Sequence, residues 1–247
     1  MKKQELLEWL AFYTLFPVMI ASFTPALSLT KIYNISIADL VITFFVPLYF
    51  MIVYPKLFFA LKEAPTQNEI LLFIMFMVIF SIGWGMHASM NTVSSFSFGG
   101  KIPKIDDIEV HEMIWFYDEI MGHLLIYLGY YGLMLSFCHH EKQSLELMTK
   151  NETLLFIFFG AFWGAGMVAG VIESGFTLFV LVINTISIIY ILQSWEKSEE
   201  KLRTYLQKRP FTLFYLIQTL TLMPFLIVYY AVFGLIQPSE VLQIMLK

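Results

Sequence analysis

The chain has 247 residues and a net charge of −4, and 58% of its residues are hydrophobic while only 14% are charged. Ordinary soluble domains carry about 25% charged residues, so this composition excludes a soluble globular domain. It predicts an all-α bundle of transmembrane helices whose main partner is the lipid bilayer. No run of Lys and Arg is interleaved with aromatic residues, which excludes nucleic acid as a partner. Cys138 is the only cysteine, so no internal disulfide is expected.

Seven apolar runs predict seven transmembrane helices in a single membrane domain, residues 1–247. A bilayer-spanning helix needs roughly 20 predominantly apolar residues. The first run, from Trp9 to Leu29, is longer than the apolar part of a signal peptide and lacks a cleavage context, so we expect a retained helix. In chain order the predicted helices lie at about 9–29, 37–61, 70–92, 113–138, 153–172, 176–194 and 211–236.

The distribution of basic residues predicts the orientation of these helices. Lys and Arg near helix ends are retained on the cytoplasmic side of a membrane. With the N-terminus inside, eleven of the 15 Lys and Arg fall in inner segments, and five of them lie in the segment 195–210. The sequence therefore predicts a cytoplasmic N-terminus, an outer C-terminus and a place in the cell membrane, with 195–210 as a cytoplasmic amphipathic connection.

Small residues recur four positions apart in the fifth predicted helix, at Gly160 and Gly164 and again at Gly166 and Gly170. Such spacing lets two helix backbones approach closely, so we expect these glycines to pack against another helix. Only residues 173–175 separate the fifth apolar run from the sixth, which predicts a tight turn there.

Ionisable residues inside the predicted helices concentrate near one end of the third and fourth helices. A charged group in the hydrocarbon costs roughly 2.5–3.5 kcal/mol, so each needs a partner or a role. His87 lies about five residues below the outer boundary of the third helix. The fourth helix opens with a run that contains His111, Glu112, Asp118, Glu119 and His123.

Regular helix geometry brings several of these side chains to shared faces. At about 100° per residue, Glu112, Glu119 and His123 fall within roughly 40° of one another. If the third and fourth helices are antiparallel neighbours, His87, Asp118 and His123 enter the membrane from the same side to compatible depths. Imidazole and carboxylate groups with an open position are ligands that suit zinc or another divalent metal.

Three interpretations of this cluster are open. In the leading one, His87, Asp118 and His123 hold a divalent metal such as zinc, and Glu119 moves a proton in an enzyme that acts on a lipid or another amphiphile near the outer leaflet. In the second, the same groups pair with one another and hold two helices together. In the third, they form part of a proton or ion path. Glu173, at the predicted turn, is a further candidate for the site.

All three interpretations share one geometric prediction. His87, Asp118 and His123 should line one pocket that is open to the outer side. At least one histidine nitrogen should lie within reach of a carboxylate, because an imidazole or a carboxylate without a partner is costly in hydrocarbon.

Two protein families resemble this chain. The pattern Gly85-Met-His87, Asn91, Phe116-Tyr117-Asp118-x-x-x-Gly122-His123 and Gly129 resembles the YjdF-type inner-membrane proteins over about fifty residues, which implies a multi-pass membrane protein. His87 followed by Asp118 and Glu119 also resembles the superfamily of alkaline ceramidases and adiponectin-type receptors. That resemblance implies seven helices, zinc held by histidines and an aspartate, and cleavage of lipid amides, although the last predicted helix here has no histidine.

The sequence lacks the residues that would bind several other cofactors. The last predicted helix has no lysine to form a retinal Schiff base, and His87 with His123 lacks the second histidine pair of a haem pathway across the membrane. No Gly-rich phosphate loop is present. Neither haem, retinal nor a nucleotide is therefore expected.

Overall fold

The computed structural model describes residues 3–29, 31–32, 35–62, 64–98, 108–141 and 147–234, and nearly all of them are helical. This confirms the predicted all-α class. The long helices are α1 (Lys3–Leu29), α2 (Ile37–Leu61), α3 (Gln67–Phe98), α5 (His123–His140), α6 (Lys150–Glu173), α7 (Thr177–Glu196) and α9 (Pro210–Phe233). The short elements are α4 (Ile108–Trp115), a π-helical segment (Phe116–Gly122), α8 (Leu202–Gln207), and the antiparallel two-residue strands β1 (Lys31–Ile32) and β2 (Ile35–Ser36).

Six stretches of the described chain are long and apolar enough to cross a membrane, judged by length and composition. They identify the chain as a multi-pass membrane protein. The first helix, α1, is not among them, so the predicted count of seven spans stays a prediction, as does the orientation. The six stretches are Thr43–Leu61, Gln67–Ser94, Glu109–His140, Lys150–Glu173, Thr177–Glu196 and Pro210–Phe233.

The chain divides into two compact units, which are described separately. The first unit contains Met1–Thr14, Leu57–Glu69 and Met134–Lys247, and the second contains Leu15–Lys56 and Ile70–Leu133. In the first unit α9 packs against α6 and α7. Tyr215 of α9 and Ser187 of α7 are both buried and share a hydrogen bond of 2.8 Å.

The glycines of α6 divide into two pairs with different surroundings. A Cβ on Gly160 would lie 2.5 Å from the carbonyl oxygen of Phe214, and one on Gly164 would lie 2.4 Å from that of Gln218. These two glycines therefore let α6 approach the backbone of α9, as their spacing predicts. Gly166 and Gly170 have no atom within 4 Å of such a Cβ, so the expected packing does not extend to them.

A buried carboxylate caps the start of α9. Glu141 follows α5, and its Oε1 accepts a hydrogen bond of 2.7 Å from the backbone N–H of Phe211. Its Oε2 accepts from the backbone N–H of Thr212 at 2.9 Å and from the Thr212 hydroxyl at 2.7 Å. Pro210 supplies the first helical position, where no N–H is needed. Glu141 thus satisfies N–H groups that a helix start leaves without intrahelical partners, and its charge suits the positive end of the helix dipole.

The burial of Glu141 makes stability depend on pH. Burial raises the pKa of its carboxyl to about 7, although the hydrogen bonds from Thr212 and Phe211 lower it in part. Because the folded state then binds this proton more tightly than the unfolded state, the contribution is full below about pH 4.5 and is lost as the pH rises toward 7. We expect the free energy of unfolding to fall across this window by on the order of 3 kcal/mol through this group.

The measurement is thermal unfolding in detergent at several pH values. Alkylation of Cys138, which is buried in the folded protein, reports the unfolded fraction. Glu141→Gln should lack this part of the pH slope, because an amide does not titrate in this range. Glu196→Gln, at an exposed carboxylate at the end of α7, serves as the control and should keep the slope. An unchanged slope in Glu141→Gln would show that another group is responsible.

A second polar network joins three helix ends in the same unit. Thr66 and Glu69 form a reciprocal cap at the start of α3, with 2.6 Å from Thr66 N to Glu69 Oε2 and 3.4 Å from Glu69 N to Thr66 Oγ1. The Glu69 carboxylate also lies 2.5 and 2.7 Å from Lys62 Nζ, just after α2, and 2.9 Å from His140 Nδ1 at the end of α5. The ends of α2 and α5 and the start of α3 therefore meet at one carboxylate.

Aromatic contacts dominate the second unit. The Phe50 and Tyr54 rings of α2 meet the Phe80 ring of α3 edge to face, at centroid distances of 5.3 and 5.5 Å. Phe16 of α1 stacks on Tyr49 of α2 at 4.8 Å. Such pairs add to the stabilisation from buried area. They hold α2 against α3, the helix that carries His87.

Candidate functional site

The residues of the predicted site lie in the second unit, on α3 and on the π-helical segment with the first turn of α5. The π-helical segment, Phe116–Gly122, contains Asp118 and Glu119. π-Helical turns are rare and occur frequently at functional sites. The assumption of a regular α-helix across this stretch is wrong, so the predicted shared face of Glu112, Glu119 and His123 does not follow from α-helical spacing.

His87 and Asp118 form a close pair. His87 Nδ1 lies 2.6 Å from Asp118 Oδ1, and the two side chains are 22% and 11% exposed. The contact has ion-pair distance, although neither atom makes a hydrogen bond of regular geometry. An ionised carboxylate can only accept, so this contact favours the tautomer with the proton on Nδ1. Nε2 of a neutral His87 is then a proton acceptor.

His123 lies beside this pair. Its ring centroid is 4.4 Å from that of His87, with 48° between the ring planes. His123 Nδ1 is 2.9 Å from the backbone carbonyl oxygen of Glu119 and 3.4 Å from Glu119 Oε2. A carbonyl oxygen only accepts, so Nδ1 donates and Nε2 of a neutral His123 is an acceptor. The structure thus brings His87, Asp118, Glu119 and His123 together.

Glycines allow α3 to approach the helix that carries the acidic residues. A Cβ on Gly122 would lie 3.0 Å from the Cβ of His87. One on Gly129 would lie 2.5 Å from the backbone nitrogen of Phe80, and one on Gly83 would lie 2.5 Å from that of Ile126. Close approach of two backbones explains why small residues occupy these positions, and this approach places His87 against the π-helical segment.

Other polar residues of the sequence pattern have different surroundings. Glu112 is exposed on α4, and Glu173 is exposed at the end of α6 in the first unit. His140 contacts Glu69, and His139 Nδ1 lies 2.8 Å from the hydroxyl of Tyr190. The acidic residues of the preceding loop, Asp106 and Asp107, fall outside the described residues.

Two carboxylates with several partners, Glu69 and Glu141, differ in how far the sequence indicates their role. Glu69 is recognisable, because Thr66-x-x-Glu69 before an apolar run is the pattern of a capping box. Glu141 has no local pattern, because its partners Phe211 and Thr212 lie 70 and 71 residues away. Both act at helix ends in the first unit.

No three His, Cys, Asp or Glu side chains of the described chain are grouped so that they could hold a metal ion. His87, Asp118 and His123 do not form such a group, so the predicted metal-ligand set has no support from the structure and stays a prediction. Comparison with protein-family models, with curated proteins and with solved structures found no match. The class that the structure defines is a multi-pass helical membrane protein with a histidine–carboxylate cluster inside its helices.

Proposed function

We propose that this protein is a seven-span membrane enzyme with an acid–base centre formed by His87, Asp118 and His123, which acts on a lipid or another amphiphile near the outer leaflet. The observation that carries the proposal is the 2.6 Å contact between His87 Nδ1 and Asp118 Oδ1 inside a membrane-spanning helix pair. A buried carboxylate that orients an imidazole is the arrangement used for general acid–base catalysis.

The proposed topology has the N-terminus in the cytoplasm and the C-terminus outside. Lys3 Nζ lies 3.5 Å from the carbonyl oxygen of Leu147 and 3.9 Å from Glu152 Oε2. The first residues of α1 and α6 are therefore close together, on the same side of the first unit. The 27 residues of α1 extend about 40 Å, which is enough to cross a bilayer. The excess of Lys and Arg in the connections on this side favours the cytoplasm for it.

The proposed chemistry centres on Nε2 of His87. His87 Nε2 takes a proton from water or a substrate hydroxyl, and Asp118 stabilises the imidazolium that forms. Glu119 has a side chain that is 29% exposed, so it is placed to exchange protons between the cluster and the surroundings. Exposed aromatic residues at the junction of α4 and the π-helical segment, Trp115, Phe116 and Tyr117, suit contact with lipid at the membrane interface.

A lipid-cleavage assay tests this proposal. Protein reconstituted in vesicles is supplied with fluorescent lipids that contain an ester, an amide or a phosphodiester. We expect turnover of one class by wild type and a 10²–10⁴-fold loss in Asp118→Asn, as for removal of a general acid–base group. Glu112→Gln, at an exposed carboxylate of α4, should keep full turnover. Equal turnover in wild type and Asp118→Asn, or none with any of the three classes, would contradict the proposal.

A second candidate is a divalent metal such as zinc bound by Nε2 of His87 and Nε2 of His123, with Asp118 orienting the His87 ring instead of acting as a third ligand. In both histidines an oxygen atom contacts Nδ1: Asp118 Oδ1 in His87 and the Glu119 carbonyl oxygen in His123. Metal-binding histidines are usually oriented by such a contact at the nitrogen that does not bind the metal, and this favours the second candidate. A bound metal would supply Lewis acidity and an activated water. Metal analysis of the purified protein separates the candidates: stoichiometric metal that is lost in His123→Ala supports the metal enzyme, and no stoichiometric metal in wild type contradicts it.

The family resemblances remain part of the proposal. The residues that carry the likeness to YjdF-type proteins lie in the second unit, and four of them, His87, Asp118, Gly122 and His123, meet at the cluster. The likeness to the alkaline ceramidase and adiponectin-receptor superfamily is the reason to include a lipid amide among the test substrates.

A further inference from the structure

A cavity of about 320 Å³ lies in the first unit, and none of its lining residues belongs to the histidine cluster. It is formed by the first turn of α6, by α8 and by the start of α9. Among the described residues its lining combines two cations, two uncharged polar residues and three leucines, and no carboxylate. The lining residues are Lys150, Thr153, Leu154, Arg203, Leu206, Gln207 and Leu213.

The two cations of this cavity have no acidic partner among the described residues. Other lysines of the unit do: Lys62 pairs with Glu69, and Lys208 with Glu200. The nearest carboxylate in sequence, Glu152, is occupied elsewhere, because it accepts the backbone N–H of Thr149 at 2.7 Å and lies 3.9 Å from Lys3 Nζ. Lys150 and Arg203 therefore leave two positive charges at one cavity, which favours an anionic ligand.

The order of polar and apolar residues fits a phospholipid. Lys150 is the first residue of the membrane-spanning α6, and the exposed Leu154 is one turn, about 6 Å, further toward the hydrocarbon. Arg203 and Gln207 lie on α8, outside the membrane-spanning stretches. Nitrogen donors thus stand at headgroup level, and Leu154 and Leu213, each about one turn inside a membrane-spanning stretch, lie below them. A soluble anion has no apolar part that could contact the leucines.

We propose that this cavity binds the phosphate headgroup of an anionic phospholipid from the leaflet in which α6 begins. Arg203 and Lys150 contact the phosphate oxygens, and Gln207 donates to the glycerol or headgroup oxygens. Leu154 and Leu213 contact the upper part of the acyl chains. Basic pockets between helices at the membrane surface are known to bind anionic lipid headgroups. This site is independent of the proposed acid–base centre.

Native mass spectrometry of the full chain in detergent tests the proposal, with phosphatidylglycerol as the probe. Phosphatidylcholine and inorganic phosphate serve as the other two ligands. We expect phosphatidylglycerol to bind most tightly. Lys150→Gln and Arg203→Gln should each weaken its binding about fivefold, as expected for one basic group near anionic lipid. Lys197→Gln removes the same charge from an exposed position outside the cavity and should change binding less than twofold.

Each other outcome overturns the proposal. Equal weakening by Lys197→Gln would mean general attraction of anionic lipid to a basic surface. Phosphatidylcholine that binds as tightly as phosphatidylglycerol would remove the role of the two cations. Inorganic phosphate that displaces phosphatidylglycerol at equal concentration would identify a soluble anion as the ligand. Circular dichroism and the melting temperature of each variant show whether a loss of binding reflects a loss of fold.

Discussion

Replacing Gly129 by alanine is expected to destabilise the protein by about 3 kcal/mol, the upper part of the range for overpacked sites. The added Cβ would lie 2.5 Å from the backbone nitrogen of Phe80 and 2.6 Å from its Cα. Because the obstacle is backbone and not a flexible side chain, α5 must move away from α3. The measurement is thermal unfolding in detergent, with tryptophan fluorescence as the signal that reports unfolding.

Gly85→Ala is the matched control, since a Cβ at that position meets nothing within 4 Å. It lies on the same helix as Phe80 and should have a stability within about 0.5 kcal/mol of wild type or slightly higher. If Gly129→Ala were as stable as Gly85→Ala, the close contact between α3 and α5 would be wrong, and with it the placement of His87.

Replacing either member of the His87–Asp118 pair alone is expected to lower the free energy of unfolding by more than the net stabilisation that the pair provides. His87→Ala leaves the Asp118 carboxylate without this partner inside a membrane-spanning helix, and breaking a buried ion pair in this way costs about 3–5 kcal/mol. Asp118→Ala leaves an imidazole that can stay neutral, so its cost should be smaller. In the double variant no unpaired charge remains, and its loss should be less than the sum of the two single losses.

A double-mutant cycle of unfolding free energies measures this difference. We expect a coupling of about 1–3 kcal/mol between the two sites. His111→Ala, on the neighbouring α4, provides a cycle with Asp118→Ala in which the coupling should be much smaller. Additive losses for His87 and Asp118, within about 0.5 kcal/mol, would show that the two side chains do not interact in the folded protein.

The apolar runs predicted the helical class because a membrane-spanning helix is a local property of about 20 residues. Convergence of His87, Asp118 and His123 was also predictable in outline. Consecutive membrane helices are antiparallel, and polar groups in hydrocarbon are stabilised by contact with one another. The rotation of each helix about its axis was not predictable, because it depends on which side chains permit close approach. Gly129 against Phe80 is an example, with two residues 49 positions apart in the sequence.

Two features of the structure depend on contacts that no local pattern indicates. The π-helical segment Phe116–Gly122 changes which residues share a face, and spacing calculated for an α-helix therefore misplaces Glu112 relative to His123. Glu141 caps a helix that begins 69 residues later, so only the folded chain shows the role of its charge. In both cases tertiary packing decides the outcome.

The central claim is that the Asp118 carboxylate and the His87 imidazole touch within the membrane. Magic-angle-spinning NMR of protein in lipid bilayers, with ¹³C-labelled Asp and ¹⁵N-labelled His, measures this contact directly, since the chain has only four aspartates and five histidines. The 2.6 Å separation predicts strong dipolar coupling between the Asp118 carboxyl carbon and His87 Nδ1, and none to His139, whose Nδ1 faces a tyrosine hydroxyl. Coupling that is absent at His87, with His87→Gln and Asp118→Asn used to assign the signals, would contradict the account.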